Sequence, residues 1–193
     1  MVNPVGVLAL QGDFAKHLES LKRLRVPVKA VRWPDELNIC RGLILPGGES
    51  TTFVNLLKKS GLYEAIIAFS IDRAVMGTCA GCITLSTAVL NESMKTLGLI
   101  DCKVERNAYG RQIDSFFDTV HIPIFQENPN FEGVFIRAPK IHTFGNHVEA
   151  LGFHNSEVVM ARNQRILVST FHPELTRDTR VHRYFVETMV DKQ

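Results

Sequence analysis

Apolar and polar positions along the chain follow two different rhythms. In the first, short unbroken apolar runs alternate with stretches of helical spacing. Val5-Gly6-Val7-Leu8-Ala9-Leu10 is one such run, closed by Gln11-Gly12-Asp13, and an unbroken run suits a strand covered on both faces. Phe14, Leu18, Leu21 and Arg25 follow at spacings of four, three and four. They predict a helix with one apolar stripe, and Asp13 stands where its cap belongs. Residues 26–31 return to strand, with Pro27 marking a strand start or a sheet edge. Leu43-Ile44-Leu45 is a third buried strand, ended by Pro46-Gly47-Gly48. Glu49-Ser50-Thr51-Thr52 then opens a helix that carries Phe53, Leu56 and Leu57 inward. Residues 62–69 form another helix, and Ala74-Val75-Met76 a fourth strand that turns through Gly77-Thr78-Cys79-Ala80-Gly81 into the next. Such β-α alternation builds a parallel sheet with helices on both faces.

The second rhythm is shorter. Ile100, Cys102 and Val104 alternate with Asp101, Lys103 and Glu105, the period of a half-buried strand. Val134-Phe135-Ile136 and Val148-Glu149-Ala150-Leu151 read as further strands. Residues 158–161 and 166–170 flank Arg162-Asn163-Gln164-Arg165, a hairpin connection. Val181, Tyr184, Phe185, Thr188 and Met189 then fall on one helical face behind Asp178 and Thr179. No internal repeat or linker interrupts the pattern. It predicts one α/β domain over 1–193: a flavodoxin-like, mostly parallel sheet flanked by helices, with an antiparallel extension in the second half.

Composition narrows the function classes. The 193 residues are 45% hydrophobic, with 22 Lys+Arg against 20 Asp+Glu. That excludes a disordered chain and argues against a nucleic-acid binder that works by electrostatics. No segment reaches the roughly 20 apolar residues of a membrane span, and no basic, apolar leader opens the chain. Four irregularly spaced cysteines do not make a secreted disulfide scaffold. The expected compartment is the cytoplasm.

Three motifs carry chemistry. Gly77-Thr78-Cys79-Ala80-Gly81 sets a cysteine between a strand and a helix, the arrangement of a nucleophile elbow. Flanking glycines permit a sharp turn, the helix start favours a thiolate, and the Ala80 N–H faces a developing oxyanion. A small buried cysteine would read the same way. Cys79-Ala80-Gly81-Cys82 is also a C-x-x-C, so a dithiol oxidoreductase is a competing reading; no second pair completes a zinc site. Far downstream, His172-Pro173-Glu174 offers a base and a carboxylate on one face of an extended segment. Alone, such a pair is equally a surface ion pair. The other histidines, His17, His121, His142, His147, His154 and His182, read as surface or packing residues. Pro46-Gly47-Gly48-Glu49-Ser50 exposes backbone N–H groups beside the cysteine turn, as half of an oxyanion hole would.

Together, Gly-x-Cys-x-Gly, Pro-Gly-Gly-Glu-Ser and His-Pro-Glu resemble the class I, or triad, glutamine amidotransferases. Six ordered blocks resemble one branch, the glutaminase subunits of pyridoxal 5′-phosphate synthases. They are residues 8–13, 45–52, 77–81, 104–112, 135–139 and 171–176. Cys82 departs from the aliphatic residue usual after Cys-Ala-Gly. The resemblance implies hydrolysis of L-glutamine to L-glutamate and ammonia. It assigns Cys79 as the nucleophile that forms a thioester, His172 as base and acid, and Glu174 as its orienting carboxylate. It implies glutamine binding by Gly47, Gly48, Glu49, Arg106, Ile136 and Arg137, and an oxyanion site at Gly48 and Ala80. By themselves Arg106 and Arg137 read as surface arginines at strand ends. No cofactor or metal is implied. The implied partner is a (β/α)8-barrel synthase subunit in a hetero-oligomer, which receives the ammonia by a protected route and raises the glutaminase activity on docking. Gln11 to Phe14 are expected to face it. The remaining alternative is a non-catalytic scaffold subunit.

Overall fold

The computed structural model describes residues 2–108 and 115–192. Tyr109-Gly110-Arg111-Gln112, the end of one resemblance block, lies outside the described residues. The first half runs β1 (Val5–Leu8), α1 (Phe14–Arg23), β2 (Val28–Val31), β3 (Gly42–Leu45), α2 (Ser50–Ser60), α3 (Leu62–Phe69), β4 (Ala74–Thr78) and α4 (Ala80–Leu85). The second half adds β5 (Ser86–Val89), β6 (Ile100–Glu105), β7 (Ser115–His121), β8 (Asn130–Ile136), β9 (Lys140–Phe144), β10 (Glu149–His154), β11 (Glu157–Arg162) and β12 (Ile166–Ser169). It ends in α5 (Arg180–Tyr184), which continues as a π-helical turn over Phe185–Val190.

Among the described residues the strands form a nine-stranded sheet, ordered β2-β1-β3-β4-β12-β11-β10-β7-β8, and a three-stranded sheet, β5-β6-β9. The five strands from β2 to β12 are parallel. From β11 outward every pairing is antiparallel. Placing β12, from near the chain's end, beside β4 completes the flavodoxin-like core. Pro27 precedes β2, which is an edge strand.

Burial explains the apolar runs. Every residue of β1, β3 and β4 is buried, because helices cover both faces. Leu43 and Leu45 face one core with Phe53, Leu57 and Leu62. Ile44 faces the other with Leu21, Met76 and Phe185. This alternation is period two inside a run that looks uniformly apolar. Registers Leu45↔Gly77 and Ser169↔Thr78 bring the ends of β3, β4 and β12 level. The segments after these strands therefore emerge side by side at the carboxyl edge, where open α/β sheets receive ligands.

Several local expectations change. Strands β5, β7 and β9 carry no clear alternation; Phe117 in β7 is 70% exposed. Asp13 stands at the start of α1 without a side-chain capping bond. Leu56 is only half-buried, and Val54 takes its place in the core. The hairpin turn is fixed by Asn163, whose Oδ1 accepts from the N–H groups of Arg165 and Ile166. No helix among the described residues is long and apolar enough to cross a membrane.

Candidate active site

Cys79 links β4 to α4 with φ 47° and ψ −104°. Such backbone strain costs on the order of 1–3 kcal/mol and persists only where the surroundings enforce it. Here the two glycines do so. A Cβ at Gly77 would stand 2.6 Å from the Gly81 backbone, and one at Gly81 would stand 2.2 Å from the Leu45 carbonyl oxygen. Only hydrogen fits at either place. The resulting bend holds Cys79, 6% exposed, at the carboxyl edge, its Sγ 3.7 Å from the Ile136 carbonyl oxygen.

His172 follows β12. The backbone leaves the strand at Ser169, and Pro173–Leu175 forms a 3-10 turn rather than an extended segment. That turn still carries Glu174 back to the ring, where its Oε1 accepts from His172 Nδ1 at 2.7 Å. The other ring nitrogen is left for Cys79, which lines the same cleft. Burial alone would lower the pKa of His172, but the hydrogen bonds and charges of Cys79 and Glu174 outweigh it and carry it up to about 10. Burial would likewise raise Glu174. Its interactions with His17, then with His172, hold it well below the usual carboxylate range. A cationic imidazole between a sulfur and a carboxylate is equipped to exchange protons with the sulfur.

The loop after β3 forms the opposing wall. A Cβ on Gly47 would lie 2.3 Å from His172 Cε1, so the ring's Cε1 edge takes the space a side chain would need. Gly48 has φ +145°, open to glycine alone. Glu49 caps α2, its carboxylate accepting from the N–H groups of Thr51 at 3.0 Å and Thr52 at 2.6 Å. Its slight burial would raise its pKa, but these bonds bring it down to about 2. Glu49 also holds Arg106 at 3.1 Å, and Glu92 takes the same guanidinium at 2.7 Å. Arg106 is thus engaged by two carboxylates. Arg137, at φ 42°, lies on the facing side with Ile136.

Gly47, Gly48, Glu49, Cys79, Arg106, Ile136, Arg137 and His172 border one cleft of about 170 Å³. That is below the roughly 300 Å³ at which drug-sized pockets begin, and suits a small polar molecule. Ala80 is fully buried behind Cys79 and can contribute only through its backbone.

Some functional neighbours escaped the sequence reading. Gly12, at φ +74°, has no room for a Cβ, which would fall 1.8 Å from the Gly47 carbonyl oxygen. Gln11 Nε2 donates to the Glu49 carbonyl at 2.8 Å. The first turn therefore supports the second. His17 and His182 are wholly buried behind Glu174. The available signal was position: His17 lies one helical turn before buried Leu21. His154 is buried on Asp118 at 2.9 Å, whereas His142 pairs with Glu105 at the surface. Cys82 lies in the core, where burial first, and then Cys102 and Cys79, raise its pKa well above 9. A thiol so disposed is a poor partner for exchange, and the dithiol reading finds no support.

Known proteins resemble this chain in sequence and in fold. The model of the SNO glutamine amidotransferase family matches residues 7–191. A pyridoxal 5′-phosphate synthase subunit PdxT from Thermosipho africanus is 47% identical over 189 residues, 97% of this chain and 99% of the relative. A PdxT subunit from Francisella tularensis subsp. holarctica is 44% identical over 186 residues, 96% and 99% of the two chains. A crystal structure of a glutamine amidotransferase superposes with a TM-score of 0.89 at 43% identity, covering 95% of this chain and 97% of that one. A glutamine amidotransferase from Thermotoga maritima shares the fold, with a TM-score of 0.63 at 14% identity over 100% and 84% of the chains. This chain belongs to the SNO glutamine amidotransferase family.

Proposed function

We propose that this chain hydrolyses L-glutamine to L-glutamate and ammonia as the glutaminase subunit of a pyridoxal 5′-phosphate synthase, with residues 1–193 acting as one amidotransferase domain. The observation that carries the reading is the strained Cys79 facing His172, itself bonded to Glu174 at 2.7 Å, in an amino-acid-sized cleft. Relatives named as synthase subunits over nearly the full chain supply the pathway.

In this reading the proton of Cys79 already rests on the cationic His172, and the Sγ thiolate attacks the side-chain amide carbon. The N–H groups of Gly48 and Ala80 receive the oxyanion; one such donor is worth about 3 kcal/mol of barrier. His172 protonates the departing nitrogen, ammonia leaves, and a glutamyl thioester remains on Cys79. His172 then draws a proton from water, whose oxygen attacks the thioester carbon; the C–S bond breaks, glutamate leaves, and the Cys79 thiolate is restored beside a protonated His172. Glu174 orients the ring throughout. Gly47, Gly48, Glu49, Arg106, Ile136 and Arg137 hold the substrate. An arginine fork suits its α-carboxylate, which requires Arg106 to exchange at least one of its present carboxylate partners.

Ammonia in neutral water is mostly ammonium and no longer a nucleophile, so a dry route to the partner preserves it. That partner is a (β/α)8-barrel synthase subunit in a hetero-oligomer, with Gln11 to Phe14 facing it. Docking turns the glycine-rich Gly47-Gly48 peptide to complete the oxyanion site. The test is glutamate release from glutamine, with and without the synthase subunit. Turnover that rises with the partner and vanishes in Cys79→Ala is expected; turnover unchanged in that variant ends the reading. His172→Asn should cost about 10²–10⁴-fold.

A further inference from the structure

Behind Cys79, His172 and Glu174 lies a second line of buried groups that the hydrolysis itself does not use. Glu174 is 1% exposed. Its Oε1 serves His172, while Oε2 has no well-formed hydrogen bond among the described residues and faces His17 Nε2 at 3.4 Å. At that length the contact is chiefly electrostatic. His17 Nδ1 in turn meets His182 Nε2 at 2.9 Å, and His182 Nδ1 has no partner among the described residues. Both rings are wholly buried.

These contacts select one placement of the hydrogens, which are inferred from the network. One hydrogen must lie between the two rings. If His17 Nδ1 carries it, a neutral His182 must hold its own hydrogen on Nδ1, a buried donor with no acceptor among the described residues. If His182 Nε2 carries it, His17 keeps its hydrogen on Nε2, between Thr78 Oγ1 at 3.3 Å and Glu174 Oε2 at 3.4 Å, and the partnerless nitrogen of His182 needs no acceptor. The second placement fits every contact. Burial, reinforced by His17, brings the pKa of His182 down to about 3, so His182 is neutral and has one N–H to give.

We propose that His17, oriented by His182, is a positioning residue for the hydrolysis, keeping Glu174 ionised and its Oε1 turned to His172. A buried carboxylate with one partner would otherwise tend to take up a proton. The groups facing this pair come from four places. Helix α1 brings His17, the turn after β12 brings His172 and Glu174, and α5 brings His182. Strand β4 brings Thr78, whose Oγ1 is 3.3 Å from His17 Nε2. Cys79 lies beyond His172, and Arg23 acts on His182 from α1. The inference rests on the glutaminase reading, and one arm of its test does not.

The test compares the parent, His17→Leu and His17→Gln. One arm measures kcat and KM for glutamine against pH in the complex with the synthase subunit. The other measures alkylation of Cys79 by iodoacetamide against pH, without glutamine. His17→Leu is expected to lower kcat about tenfold with KM little changed, and to move the acid limb of both profiles up by about one pH unit. His17→Gln keeps an N–H near the Nε2 position and recovers most of both. Should His17→Leu not fold, His182→Phe retains a packed ring without its donor and is expected to move the limbs the same way, while His182→Gln does not. Acid limbs that coincide with the parent's in His17→Leu, or in His182→Phe where the former does not fold, overturn the proposal. A parent that alkylates normally but releases no glutamate contradicts the glutaminase reading alone.

Discussion

Glu49 shows how one side chain can serve the fold and the site together. It caps α2 through Thr51 and Thr52 and holds Arg106 on the rim of the cleft. Glu49→Ala should therefore lower stability by about 1 kcal/mol through the lost cap and raise KM for glutamine, read by thermal unfolding and by steady-state kinetics. Gly47 is more sharply constrained. In Gly47→Ala the new methyl must displace the His172 ring, which lies 2.3 Å from its position. A kcat loss of about a hundredfold is expected, the scale of a 1 Å misplacement. His182 governs acid stability. Its folded pKa is depressed to about 3 from 6.5, so the unfolded chain binds the extra proton between those values. The share of stability due to His182 is whole above about pH 6.5 and falls by up to about 1.4 kcal/mol per pH unit below it. His182→Phe should flatten that decline in denaturant titrations run from pH 7 to 4. At this scale Cys79, His172 and Glu174 were legible because each sits in a short local motif. His17 and His182 were not, because the contact joining them spans 165 positions and a buried histidine has no local signature. Nor does a sequence reveal that Glu92, as well as Glu49, occupies Arg106.

Among the elements, α4 and its approach do most to place the sulfur. Gly81→Ala would drive a methyl to 2.2 Å from the Leu45 carbonyl, a backbone atom that cannot rotate aside. The expected cost is about 1–3 kcal/mol, or several degrees in Tm at roughly 2–4 °C per kcal/mol, with loss of Cys79 alkylation as the elbow relaxes. Strands β1, β3, β4, β6 and β12 were legible because each either is buried on both faces or alternates cleanly. Strand β7 was not: its exposed Phe117 and mixed neighbours follow neither pattern, and pairing with β8 defines it instead. Helix α1 shows a subtler difference. Phe14 and Leu18 suggest the inward stripe, yet the fully buried positions are His17, Ser20 and Leu21, because that face packs on polar groups of the site. In α5 and its continuation burial recurs every four residues rather than every 3.6, as the wider π-helical turn requires.

At the scale of the molecule, β-α alternation in the first half was enough to place a site at the carboxyl edge, since parallel sheets carry their ligands there. What alternation could not supply is the return of β12 beside β4, which brings His172 from the far end of the chain to Cys79. Nor could it supply the extent of the antiparallel wing. The central claim is that Cys79 attacks glutamine, and the most direct measurement uses a diazoketone analogue of glutamine with the synthase subunit present, followed by intact and peptide mass. One adduct per chain, on the Cys79 peptide and suppressed by excess glutamine, is the expected result. Full glutaminase turnover with no adduct there, or with the label on Cys82 instead, would contradict it.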